Sequence, residues 1–194
     1  MNLNTVLRRF PVRATLNDES RVVIRLLTPD DKAELRRFFL RVPEEDRYYL
    51  NDNVTAPEVI REFTDSIDME RVVPLVVEID GHIVADATLH RSRRAGRRHI
   101  GELRIVVDPE YRGKGLGSRL THELIELGRS LELRRLVFEL VNRREQAAIH
   151  TAIQAGFEEA AVLKDRILDM YGSLQDLVIM ELSLDDPDIG HLDG

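Results

Sequence analysis

The segment Val106-Val107-Asp108-Pro109-Glu110-Tyr111-Arg112-Gly113-Lys114-Gly115-Leu116-Gly117-Ser118 restricts this chain more than any other part of it. An apolar strand ends there and a helix begins, joined by a loop holding Gly113, Gly115 and Gly117. Glycine takes positive φ without steric cost and lets a ligand come close to the main chain. Free N–H groups at the start of the helix then offer a site for phosphate. The spacing Arg112-x-x-Gly115-x-Gly117 therefore suits a pyrophosphate cradle, with Lys114 and Arg119 as nearby cations. No Gly-Lys-Ser/Thr follows four residues after an earlier glycine, so this is not a Walker A loop. Nor is it the G-x-G-x-x-G fingerprint, because Leu120 stands where the third glycine belongs. On spacing alone, a flexible strand-to-helix turn without a ligand is the competing reading.

Bulk properties narrow the class. At 194 residues, with 43% hydrophobic and 32% charged residues, the chain reads as a soluble globular domain with a sizeable core. A net charge of −7 argues against nucleic acid as the main partner. No apolar run is long enough to span a bilayer, and Met1-Asn2-Leu3-Asn4-Thr5 does not look like a signal peptide. The expectation is a cytoplasmic protein without membrane partners. The absence of cysteine removes disulfides, thiolate-bound zinc and an acyl-cysteine intermediate. The six histidines show no metal-ligand spacing, so no metal is expected.

The remaining chain reads as a mixture of strands and helices. Val12 to Leu16 and Val22 to Leu26 form a hairpin around Asn17-Asp18-Glu19-Ser20. Thr28-Pro29-Asp30-Asp31 starts a helix that buries Leu35, Phe38 and Phe39. A second helical stretch after Pro43 carries Tyr48 and Tyr49. A third opens with Thr55-Ala56-Pro57-Glu58, a capping-box pattern, and buries Val59, Ile60 and Phe63. Strands follow at 72–79, 82–89 and 100–107, the first two joined by the hairpin signal Asp80-Gly81. The pattern then gives a helix over 117–131 with Leu120, Leu124, Ile125 and Leu127 inward, a strand over 135–141 and a helix over 144–155. Strands near 160–167 and 177–184 complete one domain over residues 1–184, and 185–194 forms a polar, frayed tail.

The glycine segment resembles motif A of the GNAT family of N-acetyltransferases, down to Val106-Val107-Asp108-Pro109, Tyr111-Arg112 and the alternating glycines. Asn142 and Gly156-Phe157 stand where that family's motif B has its Asn and its Gly-Phe. The resemblance runs from about Val22 to Leu184. It implies an α/β (α+β) fold: a mixed central sheet with splayed strands and helices on both faces. It implies acetyl-CoA as cosubstrate and an amine as acceptor. By the same resemblance, main-chain groups of Ile105 and Val107 pair with the pantetheine arm, much as a peptide adds to a sheet edge. Arg112, Gly113, Lys114, Gly115, Leu116, Gly117 and Ser118 hold the pyrophosphate, and Asn142 contacts the cofactor arm. A strand-end Asn without a ligand is the alternative for Asn142.

The implied reaction is attack of an amine on a thioester. A lysine-like amine is protonated near neutral pH and must first lose a proton. Glu102 is the candidate base: it alternates with Arg104 on the face opposite Leu103, in the strand that ends in motif A. A solvated Glu paired with Arg104 is the alternative. Many family members carry a Tyr four residues before the motif B Gly, where it protonates the departing thiolate. Here that position is Ala152, and His150 and Thr151 point to other helix faces.

The acceptor is less defined. Arg91-Ser92-Arg93-Arg94-Ala95-Gly96-Arg97-Arg98 is a basic loop in an acidic chain, either solvated or facing an acidic acceptor. The stretches Arg21–Arg25, Thr28–Asp31, Leu35–Phe39 and Glu44–Tyr49 resemble the acetyltransferase domain of bacterial Pat-type protein lysine acetyltransferases. Three readings result: acetyl transfer to a protein lysine, the same transfer to a small amine, or a catalytically weak acyl-CoA-binding module. A homodimer is compatible with each.

Overall fold

Turn chemistry and alternation settle the strands, and the computed structural model, which describes residues 2–50 and 52–185, joins them into one sheet. The elements run α1 (Leu3–Leu7), β1 (Val12–Thr15), β2 (Arg21–Leu26), α2 (Lys32–Arg41), α3 (Glu44–Arg47), α4 (Pro57–Asp65), β3 (Val72–Ile79) and β4 (His82–Arg91). They continue with β5 (Ile100–Val107), α5 (Leu116–Ser130), β6 (Arg135–Val141), α6 (Gln146–Gln154), β7 (Glu158–Leu168) and β8 (Leu174–Ser183). The sheet has eight strands in the order β1-β2-β3-β4-β5-β6-β8-β7. Every neighbouring pair is antiparallel except β5 with β6, which is parallel. The β3–β4 turn is tight because Asp80 and Gly81 both take positive φ, 49° and 81°, as a two-residue hairpin loop requires.

Alternation along β3 and β4 divides the core between the two faces of the sheet. Leu75, Ala87, Leu89 and Leu103 pack against Leu120, Leu124 and Leu127 of α5. On the opposite face, Val76 and Ile83 pack against Leu35, Phe38 and Phe39 of α2 and Ile60 of α4. The architecture is thus a mixed sheet covered by helices on both faces. No described helix is long and apolar enough to cross a membrane.

Several local expectations are corrected. α1, which no pattern in the sequence marks, buries Val6 and Leu7. The stretch after Pro43 is helical only through Arg47, and Tyr48 and Tyr49 lie in the turn beyond it. The Thr55 capping box does not form. Pro57 occupies the first helical position, Ala56 becomes the N-cap, and the Thr55 hydroxyl donates to Asn53 Oδ1 at 2.8 Å. Val59 and Phe63 are half-buried, while Thr64 joins Ile60 inside. α6 starts at Gln146, not Arg144; β4 runs on to Arg91 and β7 starts at Glu158. Of the expected tail, all but Asp185 lies outside the described residues.

The β5–β6 junction positions the site. These strands pair over one short seam, Ile100 with Arg135, Gly101 with Leu136 and Glu102 with Val137. Beyond it β5 stays with β4 as far as Val107, and β6 stays with β8 as far as Val141. The two strands therefore part and leave a cleft. Gly101 sits in the seam, where a Cβ would lie 2.6 Å from Leu89 Cδ1 and 2.8 Å from Leu133 Cδ1, so any larger residue would force these leucines to move.

Candidate active site

Strand alternation fixes which main-chain groups look into the cleft. His99 O accepts from the β6 side, from Arg134 N at 2.9 Å, whereas Asp108 N donates to Val84 O of β4 at 3.0 Å. Odd-numbered residues of β5 therefore aim N–H and C=O toward β6, so Ile105 and Val107 face the cleft where no strand pairs with them. Across it, Asn142 N donates to Asp176 O of β8 at 3.0 Å. The amide of Val141 consequently points the other way, into the cleft.

The glycine loop lies at the cleft's mouth. The Asp108 side chain accepts from Glu110 N at 3.1 Å and from Arg41 Nε at 2.6 Å, which pins the end of β5 to α2. Gly113 and Gly115 take φ of +73° and +86°, and Gly115 is the N-cap of α5. The first intrahelical bond beyond the cap is Arg119 N to Gly115 O, so the N–H groups of Leu116, Gly117 and Ser118 precede the helical ladder. The Leu116 side chain is buried in the core, which leaves only its main chain to a ligand. Lys114 lies 3.1 Å from Asp18 Oδ2 and stacks over Tyr111, and Asn17 N donates to Lys114 O at 3.1 Å. The β1–β2 turn thus braces the loop. Arg112 donates from Nε to Val107 O at 3.1 Å and from Nη2 to Asp46 at 2.9 Å. Asp46 also holds Arg144 of the β6–α6 loop.

Glu102 lies on the α2–α4 face of β5, half-exposed. Its Oε1 accepts two bonds from Arg104, at 2.9 Å from Nε and 2.7 Å from Nη2. Its cross-strand partner is His90, whose Nε2 is 2.9 Å from Thr88 Oγ1. Burial, aided by the charge of Arg104, pushes the His90 pKa down to about 4. The imidazole is therefore neutral near pH 7, next to the carboxylate.

Two further acidic groups lie near this site without a motif to mark them. Asp86, on the same face of β4, keeps some solvent contact and has no hydrogen-bond partner among the described residues; burial pushes its pKa up to about 7. Two flanking alanines in an apolar strand were the available signal. Because the folded state holds this proton while the unfolded chain, with a pKa of about 3.9, releases it, stability falls as pH rises from about 4 through 7. Asp86→Asn removes that penalty. Its Tm is expected to exceed the native value at pH 8 by roughly a few degrees, with the gap closing at pH 5. An equal gap at both pH values in thermal melts would show that the carboxylate is not the cause. His90 works in the opposite sense: its stabilising neutral form is lost as pH falls from about 6.5 toward 4.

The second is Glu145, the N-cap of α6. Its carboxylate turns back into the cleft and accepts from Val141 N at 2.6 Å, and burial raises its pKa. Asn142, expected to meet the cofactor arm, lies at the end of β6, where its Oδ1 accepts from Gln146 Nε2 at 2.9 Å. Ala152 is buried in the core. In the basic loop, Arg91 pairs with Glu70 and Arg93 with Asp68, both from the segment ahead of β3. Among the described residues, no group of three or more His, Asp or Glu side chains is arranged to hold a metal ion.

Comparison with known proteins bears on this geometry. The family model described as acetyltransferase (GNAT) family matches residues 33–157. The chain is 31% identical over 113 residues to the L-amino acid N-acyltransferase MnaT of Escherichia coli, covering 58% of this chain and 64% of that protein. The chain therefore spans less than two thirds of the length of the curated relatives it matches. A GNAT-family acetyltransferase from Streptococcus pneumoniae superposes with a TM-score of 0.74 at 29% identity, over 84% of this chain and 99% of that one. The GNAT domain of S. lividans PAT superposes with the same score at 22% identity, over 91% of this chain and 98% of that one.

Proposed function

Since the chain belongs to the acetyltransferase (GNAT) family, we propose that it transfers an acetyl group from acetyl-CoA to a primary amine, within one domain spanning residues 1–184. The observation that carries this reading is the cleft: the β6-facing edge of β5 has no partner strand beyond Glu102, Ile105 and Val107 face it, and the N-terminus of α5 lies at its mouth. The residues present fit the cosubstrate. An extended amide-bearing arm can add to the open edge of β5, as a peptide does. The α5 N-terminus, with Lys114 and Arg112, suits a pyrophosphate. When bound, acetyl-CoA supplies the activated acyl group.

The chain's own groups then have distinct tasks. Glu102 takes the proton of the acceptor ammonium, leaving the nitrogen lone pair for attack on the thioester carbonyl. Arg104 fixes the orientation of Glu102, and neutral His90 places no competing cation beside it. Direct attack suits a chain without cysteine. The acceptor we favour is a small amino acid or related amine, supported by the sequence similarity to MnaT. A protein lysine is the second reading, favoured by the likeness in fold to the PAT domain.

Calorimetric titration with acetyl-CoA tests the reading. The native protein is expected to bind saturably, and Gly115→Glu to bind about tenfold more weakly or worse. That residue would need positive φ, would press on Asn17 at 3.0 Å and would bring a carboxylate to the phosphates. No native binding would overturn the assignment. Thiol release across a panel of amino acids and lysine peptides then separates the two acceptors, and binding with no release from any amine would identify the weak binding module.

A further inference from the structure

The cleft contains a carboxyl group with no counterpart in the resemblance that pointed to the rest of the site. Glu145 starts α6, yet its side chain does not serve the helix: it caps no α6 N–H but bends back to Val141 N at the end of β6. Because Asn142 N is committed to β8, that Val141 amide lies on the cleft side of β6, opposite the open edge of β5. The Glu145 carboxyl is thus held between the parted strands, anchored through Oε2. Meanwhile Ala152, the position at which the resemblance implies an acidic hydroxyl, carries only a methyl group and is buried in the core. An acid is absent from the expected helix position, and a half-buried carboxyl stands at the N-cap of the same helix.

We propose that Glu145 is the general acid of the transfer, giving its proton to the sulfur of the departing CoA. This rests on the acetyl-transfer reading above. As the amine nitrogen bonds to the acyl carbon, the carbon–sulfur bond breaks, its electron pair passes to sulfur, and the Glu145 proton completes the thiol. The surplus proton on the new amide nitrogen goes to solvent and Glu145 is reprotonated from solvent, which cancel; Glu102 then gives the ammonium proton to solvent, so one proton is released per turnover. Burial raises the pKa of this group, so the protonated form persists above the usual carboxylate range. The repulsion between a second carboxylate, Asp46, and an ionised Glu145 acts in the same direction. The Val141 N–H bond opposes it, as does the Arg144 guanidinium, which is shared between Glu45 and Asp46; burial outweighs both.

Glu145→Gln is the test, because the amide oxygen can still accept from Val141 N. Calorimetry is expected to give acetyl-CoA binding within about twofold of native, while saturated kcat near neutral pH falls by about 10²-fold. The native kcat should decline on the alkaline side as Glu145 ionises; the variant should lack that limb, whereas a merely structural defect would lower kcat equally at every pH. Independently of turnover, ¹³C-detected titration of the Glu side chains should show one carboxyl signal, absent in Glu145→Gln, titrating above the ordinary value. Unchanged kcat in the variant would overturn the assignment and leave the transferase reading intact. Weakened binding with normal saturated kcat would also overturn it, making Glu145 a donor-holding group. A native protein that binds no acetyl-CoA would remove both readings together.

Discussion

Glu102→Gln is expected to lower kcat by about 10²-fold or more while the calorimetric affinity for acetyl-CoA stays near native. Three features of the strand support this split. Glu102 lies on the α2–α4 face, whereas the main-chain edge proposed to take the cosubstrate belongs to Ile105 and Val107 further along. Its Oε1 takes both bonds from Arg104, which orients the carboxylate without consuming Oε2. His90, opposite it, is neutral at working pH and cannot substitute as a charged partner. Glutamine keeps the shape and an acceptor for Arg104 but takes no proton from an ammonium. The loss should shrink as pH approaches the acceptor's own pKa, where free amine becomes abundant. A variant as fast as native at pH 7 would place the base elsewhere.

A second large effect concerns stability. Glu123 of α5 is almost fully buried, and its two oxygens are met by Arg9, just after α1, and Arg119, one turn back on α5. Removing both arginines, as Arg9→Ala with Arg119→Ala, leaves a buried carboxylate without a cation. Breaking such a pair costs about 3–5 kcal/mol, which for a chain of this size corresponds to a fall in Tm of roughly 10 °C. Each single variant should lose much less, because the other guanidinium remains. Arg129→Ala, which breaks an exposed pair with Glu126, is the control and should cost at most about 1 kcal/mol. Thermal melts in which the double variant matches this control would mean that the two arginines do not stabilise the buried Glu123.

The same pair explains why α1 was not legible. Leu3–Leu7 is too short to show a helical period, and it is held by burial of Val6 and Leu7 and by Arg9 reaching Glu123 across 114 positions of sequence. The bounds of β3, β5 and β6 could be read directly, since their apolar runs are stopped by Asp80-Gly81, Asp108-Pro109 and Asn142. Thr55 misled because a Thr-x-x-Glu pattern competes with Pro57, whose fixed φ and missing N–H claim the first helical position. In the candidate site, strand period alone puts Glu102 on one face and Ile105 and Val107 on one edge. Glu145 could not be singled out that way. An acid ahead of a helix is ordinary favourable chemistry with the helix dipole, and only the fold shows its carboxyl turned toward β6. The parting of β5 and β6 depends on partners far apart in sequence, so it followed only from resemblance.

The seam between those strands has a mechanical consequence. With the two parts of the sheet joined at Ile100–Glu102, Gly101 acts as the fulcrum of a lever. Its long arms are the rest of β5 and β6, and Val107 lies roughly 20 Å along one of them at the usual rise per residue. Because a methyl group at position 101 would meet leucine carbons from β4, β6 and the β6-leading loop, the aperture at the mouth is gauged at the pivot rather than at the rim. Substitutions around Leu89, Leu133 and Leu136 should therefore alter how far apart β5 and β6 stand at the mouth.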